Sequence, residues 1–158
     1  MSSTGNVNAL IAVAAQGQTL NVLGERVVIT VPSEAVGGRY AMATVECGPD
    51  SGPPLHVHSR EDEIFYVLEG ALEIQCGDDR FIAQAGDTAV LPCGVPHTFR
   101  NHGAIRSKVL VTMVPGGFEQ FFVETHRLQE RDSATPEAVM ALGAKFGMAF
   151  LPDEVPQA

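Results

Sequence analysis

The sequence predicts an all-β fold, a small antiparallel β-barrel or double-sheet jelly roll, followed by two helices. Three observations predict it. Short runs of alternating apolar and polar residues recur between Gly- and Pro-rich turns from about residue 20 to residue 114, the pattern of a barrel or sandwich. Three histidines and a glutamate fall on the inward parity of these runs. Then Pro115-Gly116-Gly117 breaks the pattern, and apolar residues recur at helical spacing to about residue 151. With 158 residues, the chain is long enough for one domain, expected to span 1–158, that buries roughly 70% of its unfolded surface.

In chain order, residues 1–8 are small and polar and are expected to fray. The apolar stretch Ala9–Ala15 reads as a first strand or as an arm covering the barrel. Leu20–Val31 is a β-rich run interrupted at Gly24-Glu25, and Pro32–Gly38 is a loop with Gly37-Gly38 as its strongest breaker. Tyr40–Cys47 is a strand, and a Gly/Pro loop from Gly48 to Pro54 delivers the next one. Ala71–Cys76 and Arg80–Gln84 form a hairpin around Gly77-Asp78-Asp79. Thr88–Leu91, a strand opening at His97, and Ser107–Val114 complete the β region. Phe118, Phe121, Phe122 and Thr125 predict a helix ending near Arg131, its apolar stripe packed on the barrel. Thr135 and Pro136 suit the cap and first position of a second helix, lined by Val139, Leu142 and Phe146 and ended by Gly147.

The chemistry concentrates in two stretches. In GPPLHVHSREDEIFYVLEG (52–70), His56 and His58 lie one residue apart. On an extended chain they face the same way, with Cβ atoms roughly 7 Å apart. A turn at Ser59–Asp62 is expected to return Glu63 beside them on the neighbouring strand, with Glu63, Phe65 and Val67 inward and Ile64, Tyr66 and Leu68 outward. In GDTAVLPCGVPHTFRN (86–101), the turn Pro92-Cys93-Gly94 leads to His97, with Phe99 and Asn101 on its face. A single buried histidine is ordinarily satisfied by a backbone carbonyl. Three on one face with a carboxylate would each need a partner inside an apolar barrel, which points to one metal held by His56, His58, Glu63 and His97. Glu61 and Asp62 lack the spacing and read as solvated loop charges; His102 has outward parity, His126 lies on the helix, and Cys93 reads as a turn residue.

These stretches resemble the two motifs of the cupin superfamily. The first runs His56-x-His58, four residues, Glu63, six residues, Gly70; the second runs Gly86, five residues, Pro92-x-Gly94, two residues, His97, three residues, Asn101. Where the family has a glycine six residues before the first histidine, this chain has Asp50, a residue that tolerates positive φ better than most. The segments NVLGERV, PGGFEQFF and GMAFLP further resemble a subgroup of small single-domain cupins commonly likened to quercetin 2,3-dioxygenase. The resemblance implies the cupin jelly roll, a small-molecule substrate and a homodimer, for which the apolar Ala9–Ala15 arm is a physical hint.

Composition narrows the partners. With 10 basic and 19 acidic residues the formal charge is −9, which repels nucleic-acid phosphate and anionic lipid. No apolar run approaches the roughly 20 residues of a membrane helix, and no basic region precedes Ala9–Ala15 as a secretory signal requires. Cys47, Cys76 and Cys93 form no C-x-x-C and cannot all pair, which favours a reducing compartment, the cytoplasm. The ligand set suits one divalent ion, Fe(II) first, with Mn, Ni, Cu and Zn as alternatives. Two function classes follow. One is a dioxygenase acting on a small aromatic or enolic substrate, with Glu63 as ligand and catalytic base and Phe65, Phe99 and Met113 as an apolar pocket wall. The other is a metal-dependent binding protein, with a non-redox isomerase or lyase between the two.

Overall fold

The structure is a computed structural model that describes residues 9–13 and 16–152. The strands are β1 (Gln18–Val22), β2 (Glu25–Val31), β3 (Ala41–Cys47), β4 (His56–His58), β5 (Asp62–Glu69), β6 (Ala71–Cys76), β7 (Asp79–Gln84), β8 (Thr88–Leu91), β9 (His97–Arg100), β10 (Ser107–Val114) and β11 (Met148–Phe150). Helices α1 (Glu119–Glu130) and α2 (Pro136–Lys145) lie between β10 and β11. The strands form a six-stranded sheet in the order β1-β2-β3-β10-β5-β8 and a five-stranded sheet in the order β11-β4-β9-β6-β7. Strand alternation puts Val27, Ile29, Val45, Phe65, Val67, Val109 and Val111 of the first sheet in one buried core with Leu72, Ile74 and Phe99 of the second. This is the expected jelly roll with two C-terminal helices, except that the two sheets keep open edges and do not close into a strict barrel.

Several local expectations change. The run Leu20–Val31 is two strands, because Leu23 and Gly24 both take positive φ and fold it into a hairpin in which Val22 pairs with Glu25. Residues 9–13 form no strand and are exposed; Ala14, Ala15 and residues 1–8 lie outside the described residues. Ser33–Val36 is a turn of 3-10 helix within the predicted loop. β5 is not the neighbour of β4: β4 pairs with β9 and β11, whereas β5 pairs with β10 and β8 in the other sheet. Glu63 therefore meets the histidines across the core, not along a shared sheet.

The C-terminal segment does more than cover the core. Glu119, fully buried at the start of α1, accepts from Gly117 N (2.7 Å) and from Ser33 N (2.9 Å), which ties the helix start to the 3-10 turn. Thr135 caps α2 as predicted, accepting from Ala138 N at 3.2 Å. Past α2, Gly147 takes φ 80 and lets the chain turn back. The residues after it, inside the span expected to be helical to about residue 151, become β11 instead and pair Met148 with His58 and Phe150 with His56.

Candidate metal centre

The loop before β4 is held by residues of both motifs. Asp50 takes φ 53, a left-handed conformation that few residues other than glycine adopt. A Cβ on Gly52 would come within 1.9 Å of Phe99 O, so only glycine lets this loop lie on β9. Thr98 Oγ1 donates to Pro53 O at 2.7 Å, and Asn101 N donates to Ser51 O at 2.9 Å. The buried Asn101 amide reaches Cys47 O (3.0 Å) and Ile105 O (2.8 Å), joining the end of β3 to the loop after β9. His56 then lies opposite His97 in the β4–β9 pair.

His56, His58, Glu63 and His97 converge, with one ligand atom of each within 4.8 Å of all the others. None of the four residues is more than 5% exposed. Each imidazole is anchored through Nδ1. His56 Nδ1 donates to Pro54 O (2.8 Å) and His97 Nδ1 to Val95 O (3.1 Å). A carbonyl can only accept, so each Nδ1 carries a proton and each Nε2 is the ring atom left facing the cluster, where a metal would take the lone pair of the neutral ring. His58 Nδ1 is anchored by Glu61, 2.5 Å away. Glu61 is 3% exposed, so the solvated reading of its carboxylate is corrected: the crossover from β4 to β5 folds it inward. Asp62 is exposed, yet its carboxylate accepts from Cys93 N at 2.8 Å and braces the Pro92–Gly94 turn against the first motif.

The donor set fits a cation. His58 Nε2 is buried and makes no hydrogen bond, an orphan that a metal would satisfy. Glu63 Oε2 lies 3.0 Å from His97 Nε2 and 3.5 Å from His58 Nε2. Burial pulls the Glu63 carboxyl up, but the His97 hydrogen bond and the surrounding imidazoles outweigh it and hold it below the ordinary range. Burial, with His97 beside it, pushes His56 down to about 4, so this ring is neutral at pH 7. Burial also pulls His58 down, but the bond to Glu61 and the charge of Glu63 prevail and its net shift is upward. A carboxylate kept ionised and a neutral imidazole are the states that metal ligation requires.

A cavity of about 200 Å³ opens beside the cluster. Phe65 and Phe99 line it and meet edge to face at 5.4 Å. Met113 does not: it is fully buried in the core and is not among the lining residues. Phe118, assigned from sequence to helix packing, stands edge-on to His58 at 4.3 Å and lines the cavity with Phe121 and Phe122. Leu23 and Glu25 from the first hairpin and Phe150 from β11 line it as well. NVLGERV, PGGFEQFF and GMAFLP, far apart in sequence, thus meet around one space. Cys93 and His102 are exposed, and His126 contacts the backbone of Asn21 on β1.

An N3O cluster between two antiparallel sheets defines a jelly-roll protein that could hold one metal ion, and the comparisons place it further. The Cupin domain family matches residues 43–117. Over 84 residues the chain is 34% identical to an uncharacterized protein of Methanocaldococcus jannaschii, a match covering 53% of this chain and 67% of that one. Over 66 residues, 42% of this chain, it is 33% identical to quercetin 2,3-dioxygenase of Bacillus subtilis, but the match spans only 20% of that protein. The structure of KdgF from Halomonas sp. superposes with a TM-score of 0.64 at 19% identity, covering 72% of this chain and 99% of that one. The chain belongs to the cupin superfamily.

Proposed function

We propose that this cupin is a metal-dependent dioxygenase acting on a small aromatic or enolic substrate. The observation that carries the reading is Glu63. This buried carboxylate is kept ionised beside three histidine Nε2 atoms and also lines the cavity in which a substrate would lie. His56, His58, Glu63 and His97 would hold the ion, Fe(II) first, with Mn, Ni, Cu and Zn as alternatives. Such a metal supplies Lewis acidity toward an enolate or catecholate oxygen and redox access to dioxygen.

The chain's own residues supply the rest. Glu63 Oε2 accepts the substrate's enolic proton as general base. Phe65, Phe99 and Phe118 offer an apolar wall against which a flat ring would pack, and keep water from it. The likeness to quercetin 2,3-dioxygenase supports an aromatic enol as the substrate class. The same ligand set also suits a redox-inert ion, which favours as a second reading a metal-dependent binding protein or a non-redox isomerase or lyase. The proposed setting is a single-domain homodimer in the cytoplasm, with neither nucleic acid nor membrane as partner. The formal charge of −9 and the three free thiols support it.

The test is oxygen uptake by metal-loaded wild type and Glu63→Gln with a flavonol, across pH. Glutamine keeps the size and a carbonyl oxygen but takes no proton at neutral pH. The expected outcome is retained metal and a loss of turnover of about 10²-fold or more, partly recovered at a pH that ionises the flavonol beforehand. Full activity in the variant removes Glu63 from the base role. No uptake by wild type with any redox metal favours the second reading.

A further inference from the structure

The cavity has a second polar end. Glu25 shares the inward face of β2 with Val27 and Ile29 and lines the same cavity as His56, His58 and Glu63. In the sheet register Arg26 pairs with Glu46, so Glu25 falls opposite Cys47, which pairs in turn with Ser107. Glu63 pairs with Met113, six residues along β10 from Ser107. The two carboxylates therefore stand at opposite ends of the strands, with backbones roughly 20 Å apart along the strand direction. Between them the wall is apolar: Val27, Val45, Val111, Phe65 and Phe99.

Glu25 is unusual in its surroundings. Its Oε1 is sealed from solvent and has no hydrogen-bond partner, one of three such side-chain atoms among the described residues. Burial pushes its carboxyl up to about 7, and the Cys47 thiol, hydrogen-bonded to the carboxylate, offsets only part of this. Its neighbour Arg26 does not relieve it, since that guanidinium turns outward to Glu46 at 2.7 Å. A carboxyl whose partner in an apolar cavity is a weak thiol donor costs stability, and such a cost is ordinarily retained where a ligand supplies a further bond.

We propose that Glu25 is a substrate-binding residue whose carboxyl accepts a hydrogen bond from a hydroxyl at the end of the substrate remote from the metal cluster. The proposal deepens the aromatic-enol reading and rests on it for the substrate class. The substrate is then an elongated, flat molecule with its enolic oxygens at Glu63 and the histidines, its rings against the apolar wall that includes Phe65 and Phe99, and a hydroxyl at Glu25. The hairpin residue Leu23, half-exposed beside Glu25, places this end at the mouth of the cavity.

The test compares 3-hydroxyflavone with 3,4′-dihydroxyflavone, which adds one hydroxyl remote from the enol. Binding is titrated anaerobically to metal-loaded wild type, Glu25→Gln and Glu25→Met, so that affinity is read without turnover. Wild type is expected to prefer the dihydroxy compound by about tenfold, the size of one hydrogen bond to a charged group. The preference should shrink in Glu25→Gln and vanish in Glu25→Met, with metal content unchanged. Equal affinities in wild type, or a preference that survives in Glu25→Met, overturn the proposal. A second measurement needs no flavonol: the Tm of ligand-free protein at pH 8. Glu25→Met should raise it, because a buried carboxylate with one sealed, unbonded oxygen is removed. A fall marks Glu25 as a structural group and overturns the proposal. If neither flavonol binds wild type and Tm still rises, the aromatic-enol reading fails and the ligand-binding role of Glu25 stands.

Discussion

Glu61 Oε1 lies 2.5 Å from His58 Nδ1, and both side chains are buried. This pair turns a candidate ligand into an oriented one. The carboxylate holds the proton on Nδ1, fixes the ring and raises the basicity of Nε2, the atom that no other group satisfies. Glu61→Gln and Glu61→Ala should therefore weaken metal binding by about 10- to 100-fold while leaving all four ligands in place. Competition against a chelator of known affinity measures this, and unchanged affinity in both variants would deny Glu61 a positioning role.

Removing the ligand itself goes further. His58→Ala should lower metal content and abolish most of the rise in Tm that metal gives wild type, because an ion bound only to the folded state adds its binding free energy to stability. Elemental analysis and thermal melts with and without metal read the two effects separately. Equal occupancy in variant and wild type removes His58 from the ligand set.

Glu25 carries a pH signature of its own. Its carboxyl titrates near 4.5 when unfolded and at about 7 in the fold. Between those values the folded chain binds more protons than the unfolded one, so stability falls as pH rises through this window. At roughly 1.4 kcal/mol per unit, the group contributes on the order of 2–3 kcal/mol below pH 4.5 that is lost by about pH 7. The groups facing it are Cys47, whose thiol burial pushes up and which stays neutral throughout, and Arg106, which acts on that thiol. Denaturant melts from pH 4.5 to 8 should show wild type losing stability relative to Glu25→Gln. Parallel curves would mean that the carboxyl is solvated.

The assembly is open to a direct measurement. Leu10, Ile11 and Val13 of the N-terminal arm are 54%, 84% and 48% exposed, an apolar segment left uncovered among the described residues. Light scattering at micromolar concentration should return about twice the chain mass of 16.8 kDa. The monomer mass refutes the dimer.

Much of the site was legible in the sequence because it obeys local rules. The one-residue spacing of His56 and His58 on an extended chain forces a shared face, and parity alone sets Glu63, Phe65 and Val67 inward. Turn chemistry marks Gly77-Asp78 and Pro92–Gly94, and Thr135-Pro136 announces a helix start. What remained hidden depends on contacts between distant segments. Glu61 looks like its exposed neighbour Asp62 until the crossover between sheets turns it toward His58. Met148–Phe150 is too short to announce a strand, and exists because the edge of β4 offers it hydrogen-bonding groups. Phe118 has the spacing of an ordinary core stripe, and only the tether of Glu119 to Ser33 and Gly117 places it against His58. The sequence by itself determined the candidate donor residues, because strand parity and the one-residue spacing of His56 and His58 are local. The tertiary structure decided the rest of the pocket, because a cavity is enclosed by surfaces brought together only when the whole chain packs.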